Sequence, residues 1–268
     1  MEKYNFIFIV LCYANTSDLK KFIVSTKNIS GTYKIVVVNS YYDKKTEIEF
    51  AKIAKKNNCD FINIENKGYG YGNNQGIRYV NNNYLYDFLV ISNPDIEIHA
   101  FEFEKIKNLQ CYIIGPQIKT INNKNQNPYK PFKLWIVNGL EYYGIKYKFY
   151  LLWVIGALIN KILRECILLY AKIKDQPIKV YTLHGSCMLI GNLAMRKLKK
   201  QKLYDENMFL FCEEEEVGNV ALNKNIKLLY NNNLFVSHNE DGSVNLIKNK
   251  ITQYEKESYI YCYEKWNR

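Results

Sequence analysis

The chain has 268 residues, enough for one large domain or two small ones around a substantial core. Lys and Arg number 37 against 26 Asp and Glu, a formal charge of +11, and 48% of the residues are hydrophobic, with 24 Tyr. That balance excludes a disordered or fibrous chain, and no apolar run is long enough to cross a bilayer as a helix.

The first residues, Met1 to Asn5, lack the basic region and cleavage site of a secretory signal, so a cytoplasmic chain is expected. Seven Cys without a Cys-x-x-Cys pair read as reduced, mostly buried thiols rather than a disulfide framework or a zinc site. The positive charge suits nucleic acid, an anionic membrane surface or a phosphorylated small molecule. Lys is spread along the chain and no zinc-finger or RNP pattern is present, which weighs against nucleic acid.

Residues 1 to 116 alternate between apolar strands and helices. Phe6 to Cys12 is a continuous apolar run, as expected of a strand buried on both faces, and Ser17 opens a helix with Leu19, Phe22 and Ile23 on one side. Lys34 to Val38 is a second strand, followed by a helix around Thr46 to Lys56. Phe61 to Ile64 is a third strand, followed by a glycine-rich loop and a helix from Asn73 or Asn74. Phe88 to Ser92 and Cys111 to Ile114 complete the set. This order predicts a mostly parallel α/β sheet with helices on both faces, which binds ligands beyond the carboxyl ends of its strands. The residues at those ends (Tyr13 to Asn15, Asn39-Ser40, Asn66 to Gly76, Asn93 to Asp95) are polar or glycine-rich.

Residues 117–178 break the pattern and read as an insertion. Phe149 to Ile159 is an eleven-residue apolar stretch flanked by Lys146, Lys148, Lys161 and Arg164. A helix of that length covers about 16 Å, roughly half a bilayer core. It is either a core helix or an interfacial helix, with Trp and Tyr at headgroup depth and Lys on anionic lipid. Residues 179–268 return to a globular pattern. Val180 to Ile190 is strand-like, Leu193 to Lys199 helical, an acidic helix starts near Glu213, strands run from Lys227 to His238, and a helix closes the chain from Val244 to Trp266.

Four segments can carry chemistry. Asn66 to Gly76 could bring backbone close to an anion or form a structural turn. It fails the dinucleotide fingerprint, because Gln75 stands where the last glycine belongs and the loop follows the third strand. Asn93-Pro94-Asp95 puts a carboxylate at a strand end, where it suits a hard divalent cation bridging phosphate oxygens, or forms an ordinary turn. Glu213 to Glu216 either favours a helix N-terminus or crowds one carboxylate toward the proton affinity of a general base. His238, at the end of a strand, would make a further metal ligand if it lay near Asp95.

In this order the segments resemble the inverting GT-A-fold glycosyltransferases of family 2, in particular the rhamnosyltransferase-like members that build bacterial surface polysaccharides such as capsule or O-antigen. The resemblance spans roughly residues 5 to 243. It rests on Cys12 to Asn15, Asn66 to Gly76, Asn93 to Asp95 in place of Asp-x-Asp, Gly185 to Ile190, Tyr204 to Glu216, and His238. Val38 replaces the Asp expected to help hold the nucleotide base, leaving that role to Asn39 or Asp43, and Glu216 replaces an Asp.

The resemblance implies a GT-A fold with a helical amphipathic insertion. Residues 1–116 would bind the nucleotide sugar and 179–268 the acceptor. Glu214 is the implied base, with Glu213 as the second choice. Asp95 and His238 would hold Mg²⁺ or Mn²⁺. Tyr13, Ala14, Asn39, Asn66, Gly68, Gly72, Asn73, Asn74, Asn93 and Gly185 would line the nucleotide-sugar site. The donor would be dTDP-rhamnose or a UDP-hexose and the acceptor a saccharide, lipid-linked on a polyprenyl diphosphate. The chain would then sit peripherally on the inner face of the cell membrane. The alternatives are a non-catalytic nucleotide-sugar-binding protein and a basic nucleic-acid-binding α/β protein.

Overall fold

The computed structural model describes residues 1–198, 202–240 and 248–267. The strands are β1 (Lys3–Cys12), β2 (Ile29–Ser30), β3 (Tyr33–Ser40), β4 (Asp60–Ile64), β5 (Leu85–Ser92), β6 (Ile96–Glu102), β7 (Ile113–Thr120), β8 (Ile178–Val180), β9 (Cys187–Gly191) and β10 (Leu228–His238). The α-helices are α1 (Thr16–Ser25), α2 (Lys44–Lys56), α3 (Tyr69–Asn83), α4 (Phe103–Ile106), α5 (Trp135–Lys146), α6 (Tyr150–Lys174), α7 (Asn192–Leu198), α8 (Glu213–Asn223) and α9 (Lys248–Trp266).

One sheet runs β2-β6-β10-β7-β9-β5-β1-β3-β4, with β8 beside β10. The expected parallel half is present: β1 pairs in parallel with β3 and β5, and β3 with β4. The far half is mixed, because β9 runs antiparallel between β5 and β7. Side chains alternate across the sheet at period two, so β1 divides itself between two cores. Phe6, Phe8 and Val10 pack with Leu19 and Phe22 of α1 and Phe50 of α2. Ile7 and Ile9 face Ile77 and Val80 of α3, Ala194 of α7 and Val217 of α8.

Three expectations are corrected. The glycine-rich segment is mainly the start of α3, which begins at Tyr69 rather than near Asn73. Glycine is a poor helix former, but here close packing overrides propensity. A Cβ on Gly72 would come within 2.5 Å of Leu11, and one on Gly76 within 2.5 Å of Ile9, so the helix lies almost directly on the sheet. The stretch Val180 to Ile190 is two strands, β8 and β9, separated by a loop that carries residues 181–186 to the strand ends. β6 was not expected, and its alternating sequence gives a strand with Ile96 and Ile98 buried and Glu97 and His99 outward. The expected helix ends at Lys199 and Val244 lie outside the described residues.

All seven cysteines are free, and Cys12, Cys187, Cys212 and Cys262 are buried. Residues 117–178 supply the last four residues of β7, an irregular segment, the helix pair α5 and α6, and the start of β8. No helix of the described residues is long and apolar enough to cross a membrane.

Gly68, immediately before α3, has φ +103 and ψ 172, a region essentially reserved for glycine. A Cβ there would lie 2.3 Å from the Phe209 carbonyl oxygen, which accepts the Tyr69 N–H at 2.9 Å. We expect Gly68→Ala to lose about 2 kcal/mol or more in urea unfolding, from backbone strain and displacement of the 209 loop. An unchanged midpoint would show that the two segments are not locked together.

Candidate active site

At the carboxyl ends of β1, β3 and β5 lies a cleft of about 1320 Å³. Asp95 and Glu214 both line it, and so do Glu213, His238, Tyr13, Asn66, Gly68, Asn93 and Gly185.

Register brings them together. β5 and β9 are antiparallel with Ser92 opposite Cys187, so each strand's continuation meets the other's at the rim. The Asn93 N–H donates to the Ser186 carbonyl at 2.8 Å. The Tyr69 hydroxyl donates to the Gly185 carbonyl at 2.8 Å and lies 3.3 Å from Asn93 Oδ1. The Gly185 N–H donates to Glu214 Oε1 at 3.1 Å, tethering the first turn of α8 to this loop.

β10 pairs antiparallel with β6, with His238 opposite Ile96, the residue after Asp95. His238 Nε2 lies 3.3 Å from Asp95 Oδ2, and its Nδ1 lies 2.8 Å from Gln126 Oε1. Both residues are less than a tenth exposed. Among the described residues no group of three or more His, Cys, Asp or Glu side chains could hold a metal ion. Two donors at one point do suit a hard cation that completes its shell with phosphate oxygens and water.

The sequence reading missed His184. Its Nδ1 accepts the Ser186 N–H at 3.2 Å, its ring lies 5.7 Å from that of His238, and it lines the cleft. Burial, with His238 and Arg164 nearby, pushes its imidazole down to about 3. It is therefore neutral, with the proton on Nε2. Proximity to Gly185 in sequence was the available signal, but it carries no chemistry by itself.

Four consecutive glutamates meet four environments. The backbone turns sharply into α8, with Phe211 at φ +72 and Cys212 at φ +67. Glu213 is buried with Oε1 lacking a hydrogen-bond partner. Burial and the neighbouring Glu214 hold its carboxyl well above the ordinary carboxylate range. Burial and Glu215 do the same to Glu214, opposed by the Gly185 N–H and Lys130. Glu215 faces Lys130 at 3.1 Å, an ion pair in which neither Glu215 oxygen has a well-aligned donor. Glu216 accepts from Lys265 and from the Trp266 indole of α9, both at 2.7 Å.

Other expected site residues lie away from the cleft surface. Asn39 is fully buried and donates to Asn63 at 2.6 Å, while its neighbour Ser40 reaches the cleft. Ala14 occupies a left-handed turn (φ 60) between Tyr13 and Asn15. Gly72, Asn73 and Asn74 are buried in α3, and Asn74 donates to the Tyr204 carbonyl and to Glu206. Asp43 caps α2 by accepting the Thr46 N–H, and Val38 is core. Tyr13 lies edge-on to Tyr42 at the mouth, ring centres 5.3 Å apart.

No protein-family model and no curated protein matches the chain. In three dimensions it is similar to GalNAc-T7, solved with UDP, GalNAc and Mn²⁺, with a TM-score of 0.62 at 14% identity over 97% of this chain. It is also similar to S. aureus TarS, with a TM-score of 0.54 at 13% identity over 89% of this chain. The chain spans 48% and 37% of the lengths of those two proteins. The likeness is one of architecture: the chain has a GT-A glycosyltransferase fold.

A carboxyl whose proton affinity is raised by folding stabilises the native state while it stays protonated, below its unfolded value. That contribution is lost as pH rises through the raised folded value. Thermal stability should therefore fall as pH rises from 5 to 9, and Glu213→Gln should flatten that decline. Parallel melting profiles of the two proteins would disprove the buried, unpaired state of Glu213.

Proposed function

We propose that the chain is an inverting glycosyltransferase of the family 2 type, moving a sugar from a nucleoside-diphosphate donor to a saccharide acceptor. The observation that carries this reading is that Asp95 and Glu214, far apart in sequence, line one cleft at the strand ends of a GT-A fold. The donor's base and ribose would lie near Tyr13, Ser40 and Asn66. Asp95 and His238 would hold Mg²⁺ or Mn²⁺, which would supply positive charge against the departing diphosphate. GalNAc-T7 was solved with Mn²⁺ and UDP, in keeping with this arrangement.

Glu214 is the proposed base. It would take the acceptor hydroxyl proton while that oxygen bonds to the anomeric carbon and the bond to the diphosphate breaks. The nucleoside diphosphate leaves with the bonding electron pair, and one displacement inverts the anomeric centre. A base with a raised proton affinity is better matched to neutral pH than an ordinary carboxylate. The sugar is assigned as rhamnose or a hexose on the strength of the sequence resemblance to surface-polysaccharide enzymes.

The acceptor is proposed to be lipid-linked. Along α6, Leu151, Ile155, Leu158, Ile162, Leu169 and Ile173 are exposed, spaced as one face of the helix over about 33 Å. Trp135 and Tyr147, at the two ends of α5, are also exposed. Such an apolar strip near Lys146, Lys148 and Lys161 suits the interface of an anionic membrane. Trp153 lines the cleft at 37% exposure, so this segment is no core helix.

Two measurements test these readings. Nucleotide release from a screen of dTDP-rhamnose and UDP-hexoses should be detectable, and Glu214→Gln, shown to be folded, should lower it about 10²- to 10⁴-fold. The wild-type acid limb should lie above the ordinary carboxylate range and should vanish with that substitution. Near-normal turnover of the variant would remove Glu214 from the role. Separately, sedimentation with anionic liposomes should show binding that weakens with salt. Equal recovery in the supernatant with and without vesicles would return the α6 face to another partner.

A further inference from the structure

Helix α6 turns a second stripe toward the cleft, made of Tyr150, Trp153, Ala157, Asn160, Lys161 and Arg164. Steps of three or four residues, with Asn160 and Lys161 adjacent, keep these side chains on one helical face. The stripe is aromatic at its start and cationic at its end. Arg164 lines the same cleft as His184, Asp95 and His238.

Arg164 is under-partnered there. Its nearest acid is Glu165, the next residue along α6, at 3.9 Å and 60% exposed. Its Nε is buried without a hydrogen-bond partner. Lys148 and Lys161 also line the cleft, and no ion pair among the described residues involves either of them. A buried guanidinium N–H is costly to leave unmade, and the planar guanidinium fork matches phosphate oxygens in pairs.

We propose that Arg164, with Lys161 beside it, is a binding residue for a diphosphate group in the cleft, supplied from the helical insertion rather than from the sheet. The chemistry recognised is a diphosphate. The proposed glycosyltransferase function identifies its source as the donor, and the assignment rests on that reading for the source alone. Arg164 would then offset the negative charge that develops on the diphosphate as the bond between the sugar and the phosphate breaks.

The test uses the full chain and titration calorimetry with inorganic pyrophosphate in the presence of Mg²⁺, so that no base or sugar need be known. Arg164→Gln should weaken pyrophosphate about ten- to hundredfold while leaving the melting temperature and the binding of uridine or thymidine unchanged. Arg164→Lys should recover part of the loss, because the charge returns without the fork. Equal pyrophosphate affinity in wild type and Arg164→Gln overturns the assignment while the glycosyltransferase reading stands. Unchanged pyrophosphate binding with a selective loss of dodecyl phosphate binding also overturns it, and gives Arg164 to a lipid-borne phosphate. A wild-type chain that binds neither pyrophosphate nor UDP, dTDP or GDP overturns both. Should Arg164→Gln fail to fold, an Arg164→Lys protein with wild-type affinity for pyrophosphate decides against the fork contact.

Discussion

The candidate site depends on one constraint, the reversal of chain direction where β9 enters the sheet between β5 and β7. In a purely parallel sheet the strand ends at the ligand edge come only from β-to-α connections. An antiparallel neighbour instead starts where β5 finishes, so His184, Gly185 and Ser186 approach the rim from the opposite direction. The Asn93 N–H bond to the Ser186 carbonyl fixes that meeting, and the Gly185 N–H carries it on to Glu214. The same logic governs His238, which reaches Asp95 because β10 runs antiparallel to β6.

A buried cation then ties the helical parts to this frame. Lys130 lies 2.6 Å from Glu141 of α5 and 3.1 Å from Glu215 of α8, with Asn138 and the Tyr259 hydroxyl within 3.4 Å. Burial alone would lower its proton affinity, but the two carboxylates more than offset that and hold the ammonium charged. Removing one partner of such a pair typically costs about 3–5 kcal/mol, because the other charge is left stranded. The joint therefore fixes α5 and α9 relative to α8. It also leaves Glu213 and Glu214, two and one residues earlier, without a cation of their own.

That division of labour explains the strain at the start of α8. Two successive left-handed residues, Phe211 and Cys212, are unfavourable without glycine. They are held by the Ser258 hydroxyl, which donates to the Leu210 carbonyl at 2.7 Å, and by the Tyr69 N–H on Phe209. The turn brings Glu213, Glu214 and Glu215 to the cleft lining, with Glu215 held by Lys130, and directs Glu216 to α9. α6 divides its surface in the same way, with one stripe in the cleft and an apolar strip outside.

The sequence alone determined the half of the fold in which local pattern and burial coincide. Apolar runs such as Phe6 to Cys12 and Phe88 to Ser92 are strands because both faces of those strands are covered. The polar residues that follow them mark the ligand edge for the same reason. β6 escaped notice because its outward face is solvated, and the start of α3 because its glycines serve helix-to-sheet contact rather than a loop. What the tertiary structure decided was which distant residues come together: His184 beside His238, Arg164 and Asp95 in one cleft, and the separate surroundings of four adjacent glutamates. Those relations follow from strand order, pairing direction and register, which are set by burial across the whole sheet. A linear pattern of residue types encodes the tendency to form each strand, but not which strand will lie beside it.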